Sequence, residues 1–314
     1  MRALVTGAGG FVGANLIRHL LATGHEPIAI VRPGGNRWRL AKLSGEVAVV
    51  DVNLRDGDAV QRLVADRRPE VVFHLAAYGA YSWQRDLASM LAVNVRATED
   101  LLAGARDVGA VLVHAGSSSE YGFKDHPARE DEIVEPNSHY AVTKVAATHL
   151  CRLAAASEEA RAVTLRLYSI YGPWEQPGRL IPALVQRCLE GGWPPLVGPE
   201  TARDFVWVDD ACEAFVRAAT IEVPDRGAVF NIASGVQTTL RSLVEAAQGV
   251  FAPADAPTWG TMESRSWDTS TWVGDPTRAS EQLDWCAATP ITDGLGRMGA
   301  WLSDHPELAE RYRG

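Results

Sequence analysis

Three glycines at three-residue steps, Gly7, Gly10 and Gly13, constrain this 314-residue chain more than any other feature. The apolar run Ala3 to Thr6 before them reads as a strand. Val12, Leu16, Ile17, Leu20 and Leu21 follow at helical spacing until Gly24 closes the helix. Gly7 permits a tight turn, Gly10 lets the backbone approach a pyrophosphate, and Gly13 lets helix and strand pack closely. The helix start, at Phe11 and Val12, adds free N–H groups and the positive end of the helix dipole. A strand, a glycine turn and a helix in this order are expected to hold a dinucleotide.

The rest of the first half alternates in the same way. Strands are expected at Pro27 to Val31, Val47 to Val50, Val71 to Leu75 and Ala110 to His114. Between them lie helical patterns built on Val60, Leu63 and Val64, and on Leu91, Val95, Leu101 and Leu102. Alternation of this kind predicts an α/β fold, a Rossmann-type doubly wound parallel sheet covered on both faces. Later in the chain, Leu180, Leu184 and Leu189 mark a helix, and Asp209 caps another that runs through Ala219. Val229 to Ile232 reads as a late strand of the main sheet.

Ligands of such sheets lie beyond the carboxyl ends of the strands. The second strand ends in Val31-Arg32-Pro33, followed by Asn36, Arg37 and Arg39, with no carboxylate near. An NAD-selective site usually places an acid there for the ribose hydroxyls. Arg32 and Arg37 are suited instead to a 2′-phosphate, which makes NADP the expected cofactor and NAD the alternative. Asp51-Val52 places a carboxylate where the adenine amino group can donate to it. Leu75-Ala76-Ala77 are small enough to let the cofactor lie close, and His74 reads as a packed core histidine.

The fifth strand runs into Gly116-Ser117-Ser118-Ser119-Glu120-Tyr121-Gly122, and a helix opens at Asn137-Ser138-His139-Tyr140. Tyr140 and Lys144 stand four apart and share a helix face. The pair is common on solvated helices; the glycine turn and serine cluster before it give it meaning.

With these residues the chain resembles the extended short-chain dehydrogenase/reductase family, the epimerases, dehydratases and reductases of nucleotide sugars. The resemblance rests on Gly7/Gly10/Gly13, His74-Leu75-Ala76-Ala77, Asn94, and Ser117 with Tyr140 and Lys144. It continues through Arg166-Leu167-Tyr168-Ser169-Ile170-Tyr171-Gly172-Pro173, Arg203-Asp204-Phe205-Val206-Trp207-Val208-Asp209-Asp210, Asn231-Ile232-Ala233-Ser234-Gly235 and Arg265-x-x-Asp268. It implies a dinucleotide-binding part at 1–172, to which 205–233 returns. A smaller, interleaved substrate part would comprise 173–204 and 234–314. It implies Ser117, Tyr140, Lys144 and Asn94 as the catalytic set, and Tyr168 beside the cofactor. Arg203 and Arg265 would grip the substrate diphosphate, a task suited to the forked guanidinium. Tyr78, Ser118 and Ser119 would line the substrate site, with Trp174 or Trp83 stacking on sugar or base. A homodimer is implied too, through helices around 91–105 and 140–155 whose spare apolar positions are Leu101, Leu102, Leu150 and Leu153.

The chemistry asks for such residues. A hydride leaves or reaches a carbinol carbon only as a proton moves at its oxygen. A tyrosine that titrates near 10 when free needs about 4 kcal/mol of phenolate stabilisation to work near neutrality. Lys144 and an oxidised nicotinamide are the charges able to supply it. One departure matters. The 4,6-dehydratases of the family carry acids directly after the catalytic Ser/Thr, where this chain has Ser118 and Ser119; Glu120 comes one residue later. Dehydration is disfavoured.

A formal charge of −9 opposes nucleic acid as a partner. Cys151, Cys188, Cys212 and Cys286 lack metal-binding spacing, no secretory signal precedes Val5, and no apolar run is long enough for a membrane span. A cytoplasmic enzyme without metal is expected. The sequence favours NADPH-dependent reduction of a 4-keto-6-deoxy sugar nucleotide. The alternative is a redox-neutral epimerase with tightly bound NAD; a dehydratase and a non-catalytic NADP sensor stand behind both.

Overall fold

The computed structural model describes residues 1–313 except 44, 158–159, 223–224, 226 and 264–268. The glycine turn joins β1 (Arg2–Thr6) to α1 (Phe11–Ala22); β2 (Glu26–Val31), β3 (Ala48–Asp51), α2 (Gly57–Arg67) and β4 (Val71–His74) follow. A short helix, α3 (Leu87–Met90), passes through a π-helical turn, Leu91–Arg96, into α4 (Ala97–Val108). Then come β5 (Val111–Ser117), a 3-10 turn at Ser118–Tyr121, α5 (His139–Ala156) and β6 (Arg161–Leu167). The second half adds β7 (Ser169–Tyr171), α6 (Leu180–Leu189), β8 (Ala202–Arg203), β9 (Phe205–Trp207) and α7 (Val208–Thr220). It ends with β10 (Val229–Ile232), β11 (Thr238–Thr239), α8 (Leu240–Phe251), α9 (Thr277–Leu283), α10 (Ile291–Asp304) and α11 (Pro306–Tyr312).

Seven strands form one parallel sheet in the order β10-β6-β5-β4-β1-β2-β3. The chain order reverses between β1 and β4, the crevice where such sheets take ligands. Both faces are covered, so the strands are nearly all apolar. Ala3, Val5, Phe73 and Val113 pack on one side with α1 and α7. Leu4, Val72 and Leu112 pack on the other with Val64 of α2, Leu101 and Leu102 of α4 and Cys151 of α5. A third core joins Tyr171, Leu184, Trp207, Leu243, Leu295 and Leu302 from the second half.

β6 escapes the sequence reading. Its apolar residues Ala162, Val163 and Leu165 are interrupted by Thr164, and Arg166 breaks the pattern although it is buried. β5 also runs on to Ser117, because Ala115-Gly116-Ser117 pair with Leu165, Arg166 and Leu167 of β6. Leu101 and Leu102 are buried against α2, which corrects their assignment to a dimer face. Cys151, Cys188 and Cys212 are buried free thiols, and Cys286 is an exposed one. Among the described residues no helix is long and apolar enough to cross a membrane. None of their His, Cys, Asp and Glu side chains form a group able to hold a metal ion.

Candidate active site

Gly7 has φ +68°, and a Cβ on it would sit 2.7 Å from the backbone nitrogen of Ala76. A Cβ on Gly13 would strike the Gly7 carbonyl oxygen. Glycine is demanded at both. Gly10 caps α1 without a side-chain hydrogen bond, so the helix start at Phe11 and Val12 presents bare N–H groups. Leu75 and Ala76 lie against the turn, where the Ala76 N–H donates to Thr6 Oγ1 at 3.3 Å; Ala77 follows them. The cradle has the shape and polarity a pyrophosphate needs.

The loop after β2 departs from expectation. Arg32 is exposed at the strand end, but Arg37 pairs with Asp51 across the sheet edge. Each was assigned a different part of the cofactor, the 2′-phosphate and the adenine, and each already holds the other. An exposed pair is worth at most about 1 kcal/mol, so it weakens both assignments without barring a ligand. Val52, next to Asp51, is tied to Val31 by a 3.0 Å backbone hydrogen bond. Arg39 is the buried arginine of the loop: it donates to the Trp174 carbonyl at 2.6 Å and to the Gly9 carbonyl at 3.3 Å.

Ser117 closes β5 and caps the turn beyond it. Its backbone N–H donates to Glu120 Oε1 at 2.8 Å, and its hydroxyl lies 2.7 Å from that of Ser119. Ser138 caps α5 by accepting from the Ala141 N–H at 3.2 Å, which sets Tyr140 in the first turn. Burial pushes the Tyr140 phenol up to about 12, while a hydrogen bond with Ser117 pulls it down. Lys144, one turn on, is 1% exposed, and burial brings it down to about 8. Its Nζ lies 3.1 Å from His114 Nε2. Lys144 is thus engaged with His114, and Tyr140 is held above its ordinary value.

Asn94 is fully buried in the π-helical turn. Its Nδ2 donates to the Tyr78 carbonyl at 2.8 Å and to Thr143 Oγ1 at 2.9 Å, while Oδ1 accepts from the Tyr78 N–H at 2.8 Å. With its side chain committed to protein, Asn94 ties the Tyr78 loop to α5.

A cavity of about 340 Å³ opens beside this site, lined by Ser169, Glu175, Arg179, Arg203, Phe205 and Leu240 among others. Arg203 reaches it from β8, and its guanidinium stands 5.8 Å from the Trp272 ring. Arg265 lies outside the described residues. Glu175 and Arg179 escaped the sequence reading; their one signal was the Pro-Gly step just before the helix run of Leu180. Glu175 is buried, which pushes its carboxyl up to about 8.

One assignment moves. Trp174 is buried at φ +68° among Trp38, Trp301 and His305 under the Arg18 guanidinium, so it packs the fold instead of stacking on a ligand. Trp83 is exposed and stacked on Tyr81. Tyr168, expected beside the cofactor, packs with Tyr121, Ala128 and Ala233 against Gly274, a cluster with Trp272 at its edge. Ser118 faces the same cluster and accepts from Trp272 Nε1 at 3.2 Å. Glu120 turns into the core, where Arg166 and Thr148 each reach its Oε2 at 2.9 Å.

The family model of the NAD dependent epimerase/dehydratase family matches residues 3–233. A UDP-glucose 4-epimerase of Mycolicibacterium smegmatis is 32% identical over 308 residues, 95% of this chain and 97% of that protein. A dTDP-glucose 4,6-dehydratase of Streptomyces griseus is 30% identical over 315 residues, 96% and 94% of the two chains. The crystal structure of UDP-glucuronic acid 4-epimerase from Bacillus cereus with UDP-glucuronic acid and NAD superposes with TM-score 0.84 at 25% identity. It covers 97% of this chain and 99% of that one.

Proposed function

The chain belongs to the NAD dependent epimerase/dehydratase family, and on that premise we propose that it inverts a carbinol carbon of a uridine-diphosphate sugar with NAD retained on the protein. One observation carries the choice within the family. Ser117 stands near enough to Tyr140 to lower its phenol, while no carboxylate stands at 118 or 119 to remove water from the sugar. The nearest acid, Glu120, is consumed by Arg166. The turn after β5 thus offers elimination no free carboxylate, and a reversible oxidation needs no base beyond Tyr140.

The NADPH-dependent reductase favoured by sequence gives way for two reasons. The named relatives are an epimerase and a dehydratase, and the epimerase structure carries NAD. Arg37, half of the proposed 2′-phosphate site, is held by Asp51.

NAD held at the glycine turn would supply the acceptor, and then the donor, of the hydride at the sugar carbon. The glycine turn and the α1 N-terminus hold the pyrophosphate. Tyr140 takes the proton of the reacting hydroxyl as the C–H bond breaks and restores it when the hydride comes back to the opposite face. Ser117 donates to the reacting oxygen and orients Tyr140. Arg203 and Arg179 meet the diphosphate in the cavity, with Tyr78 at the edge of the sugar pocket. We assign the cofactor to 1–172 with 205–233, and the sugar nucleotide to 173–204 and 234–314. A homodimer through the π-helical turn that leads into α4 and through α5 goes with this reading, using the exposed Leu91, Val142 and Leu153. Its free thiols accord with the cytoplasm.

The test is direct. Purified protein is denatured and the released nucleotide identified by mass spectrometry, while UDP-sugars are followed by proton NMR. Released NAD and interconversion of two C4 epimers without added cofactor support the reading. Stoichiometric consumption of NADPH with a 4-keto sugar nucleotide would return it to a reductase.

A further inference from the structure

Four neighbouring strands carry polar residues at one register level: Thr6 of β1, His74 of β4, His114 of β5 and Thr164 of β6. All are buried on the face covered by α4 and α5, where the residues two positions earlier are Leu4, Val72, Leu112 and Ala162. A polar row in so apolar a layer needs a reason.

The eastern half of the row, Thr6 and His74, is satisfied within itself. Thr98 gives its hydroxyl proton to the Asn94 carbonyl at 2.7 Å, so at 3.1 Å it accepts from His74 Nε2. His74 is then protonated on Nε2 and accepts from Thr6 Oγ1 through Nδ1 at 2.8 Å. This is a neutral, fixed imidazole with a structural job.

His114 is different. Its ring lies 5.5 Å from that of His74, its Nε2 faces the Lys144 ammonium at 3.1 Å, and its buried Nδ1 has no partner among the described residues. An ammonium has no acceptor capacity, so Lys144 donates and the imidazole proton resides on the unpartnered Nδ1. A buried donor without an acceptor is a cost that a purely packing residue would not carry; an apolar side chain would fill the layer without it.

We propose that His114 is a positioning residue for the reaction, acting through Lys144: its imidazole accepts the ammonium's hydrogen bond and fixes the charge that stands one helix turn from Tyr140. The inference rests on the proposed roles of Tyr140 and Lys144. Burial and the Lys144 charge keep His114 neutral, well below its ordinary value, so it remains an acceptor across the working pH range. The other groups acting on Lys144 are His74 from β4, Glu120 from the turn after β5, and Cys151 on its own helix. Glu120 is already bound by Arg166 and Thr148, which leaves His114 as the neutral group that accepts the Lys144 hydrogen bond.

The experiment follows the Tyr140 phenolate directly. Ultraviolet difference titrations of NAD-loaded protein, each referred to its own Tyr140→Phe counterpart, are compared for the parent, His114→Phe and His114→Gln. The Phe variant fills the layer without an acceptor, and its phenolate should form about one pH unit higher, with kcat down about tenfold and KM little changed. Gln offers a carboxamide oxygen and should restore most of both. If His114→Phe does not fold, His114→Val is read in its place. A folded variant with unaltered titration and unaltered kcat would overturn the proposal, as would Gln behaving like Phe. The titration uses no sugar nucleotide. A shifted titration in a protein that epimerises nothing would leave the positioning role standing and remove the proposed function.

Discussion

Glu120 and Arg166 meet at 2.9 Å in the core beneath Ser117, both almost wholly removed from water. The carboxylate divides its oxygens: one accepts the backbone N–H of Ser117, the other the guanidinium of Arg166 and the hydroxyl of Thr148. An ion pair of structural rank thus lies directly under Ser117, the residue proposed to orient the reacting oxygen. Its guanidinium also stands 4.5 Å over the Tyr121 ring.

Breaking a buried pair on one side leaves an uncompensated charge. Glu120→Gln should lower stability by about 3–5 kcal/mol in urea denaturation. Changing Arg166→Met as well should recover part of the loss. A Glu120→Gln protein with the parental midpoint would mean that the pair contributes nothing.

Tyr140→Phe removes the proton carrier and leaves the glycine turn untouched. Turnover should fall by about 10²–10⁴, with NAD still released on denaturation in parental amounts. Steady-state rates and nucleotide mass spectrometry read the two outcomes separately.

Lys144 shows opposed demands of function and stability. Its folded-state value, about 8, lies below its ordinary 10.5, so keeping it charged costs stability below pH 8. The cost fades as pH rises from 8 towards 10.5. Lys144→Met should therefore stabilise the ligand-free protein at pH 7 by roughly 1–3 kcal/mol, lose that advantage near pH 10, and be almost inactive. Denaturation midpoints at the two pH values give the sign. An advantage that grew with pH would contradict the burial described.

Trp174 sits in the left-handed region, where a bulky side chain is strained. Trp174→Ala should cost about 3–5 kcal/mol through lost packing on Trp38, Trp301 and His305. Trp174→Gly loses the same contacts but is relieved of the strain. It should be the more stable of the two by about 1 kcal/mol, the reverse of the usual order. Thermal melts of the two variants decide it.

What sequence reveals here is what neighbours in the chain can reveal. Gly7, Gly10 and Gly13 lie within one turn, and Tyr140 and Lys144 within one turn of helix, so local spacing exposes them. Pairings made by the fold leave no such trace. Arg37 and Asp51 are distant in sequence, and each looked free for a ligand until β2 and β3 brought them together. Arg166 hid β6 because its charge reads as surface, although Glu120 waits in the core to receive it. The same holds for Trp174, whose ring was available to a sugar only while Arg18, Trp38 and Trp301 were unplaced. Leu101 and Leu102 looked spare for a dimer because nothing in α4 alone tells which of its apolar positions face α2.

The π-helical turn at Leu91–Arg96 contains one residue more than a regular helix would use. Deleting one residue before Asn94 would mend the local hydrogen bonding yet swing the side chain about 100° around the axis, away from Tyr78 and Thr143. In a descendant of this gene, loss of a single codon there would give a better helix and a detached active-site loop. The length of that segment is thus inherited as strictly as any side chain, although its letters alone carry no sign of it.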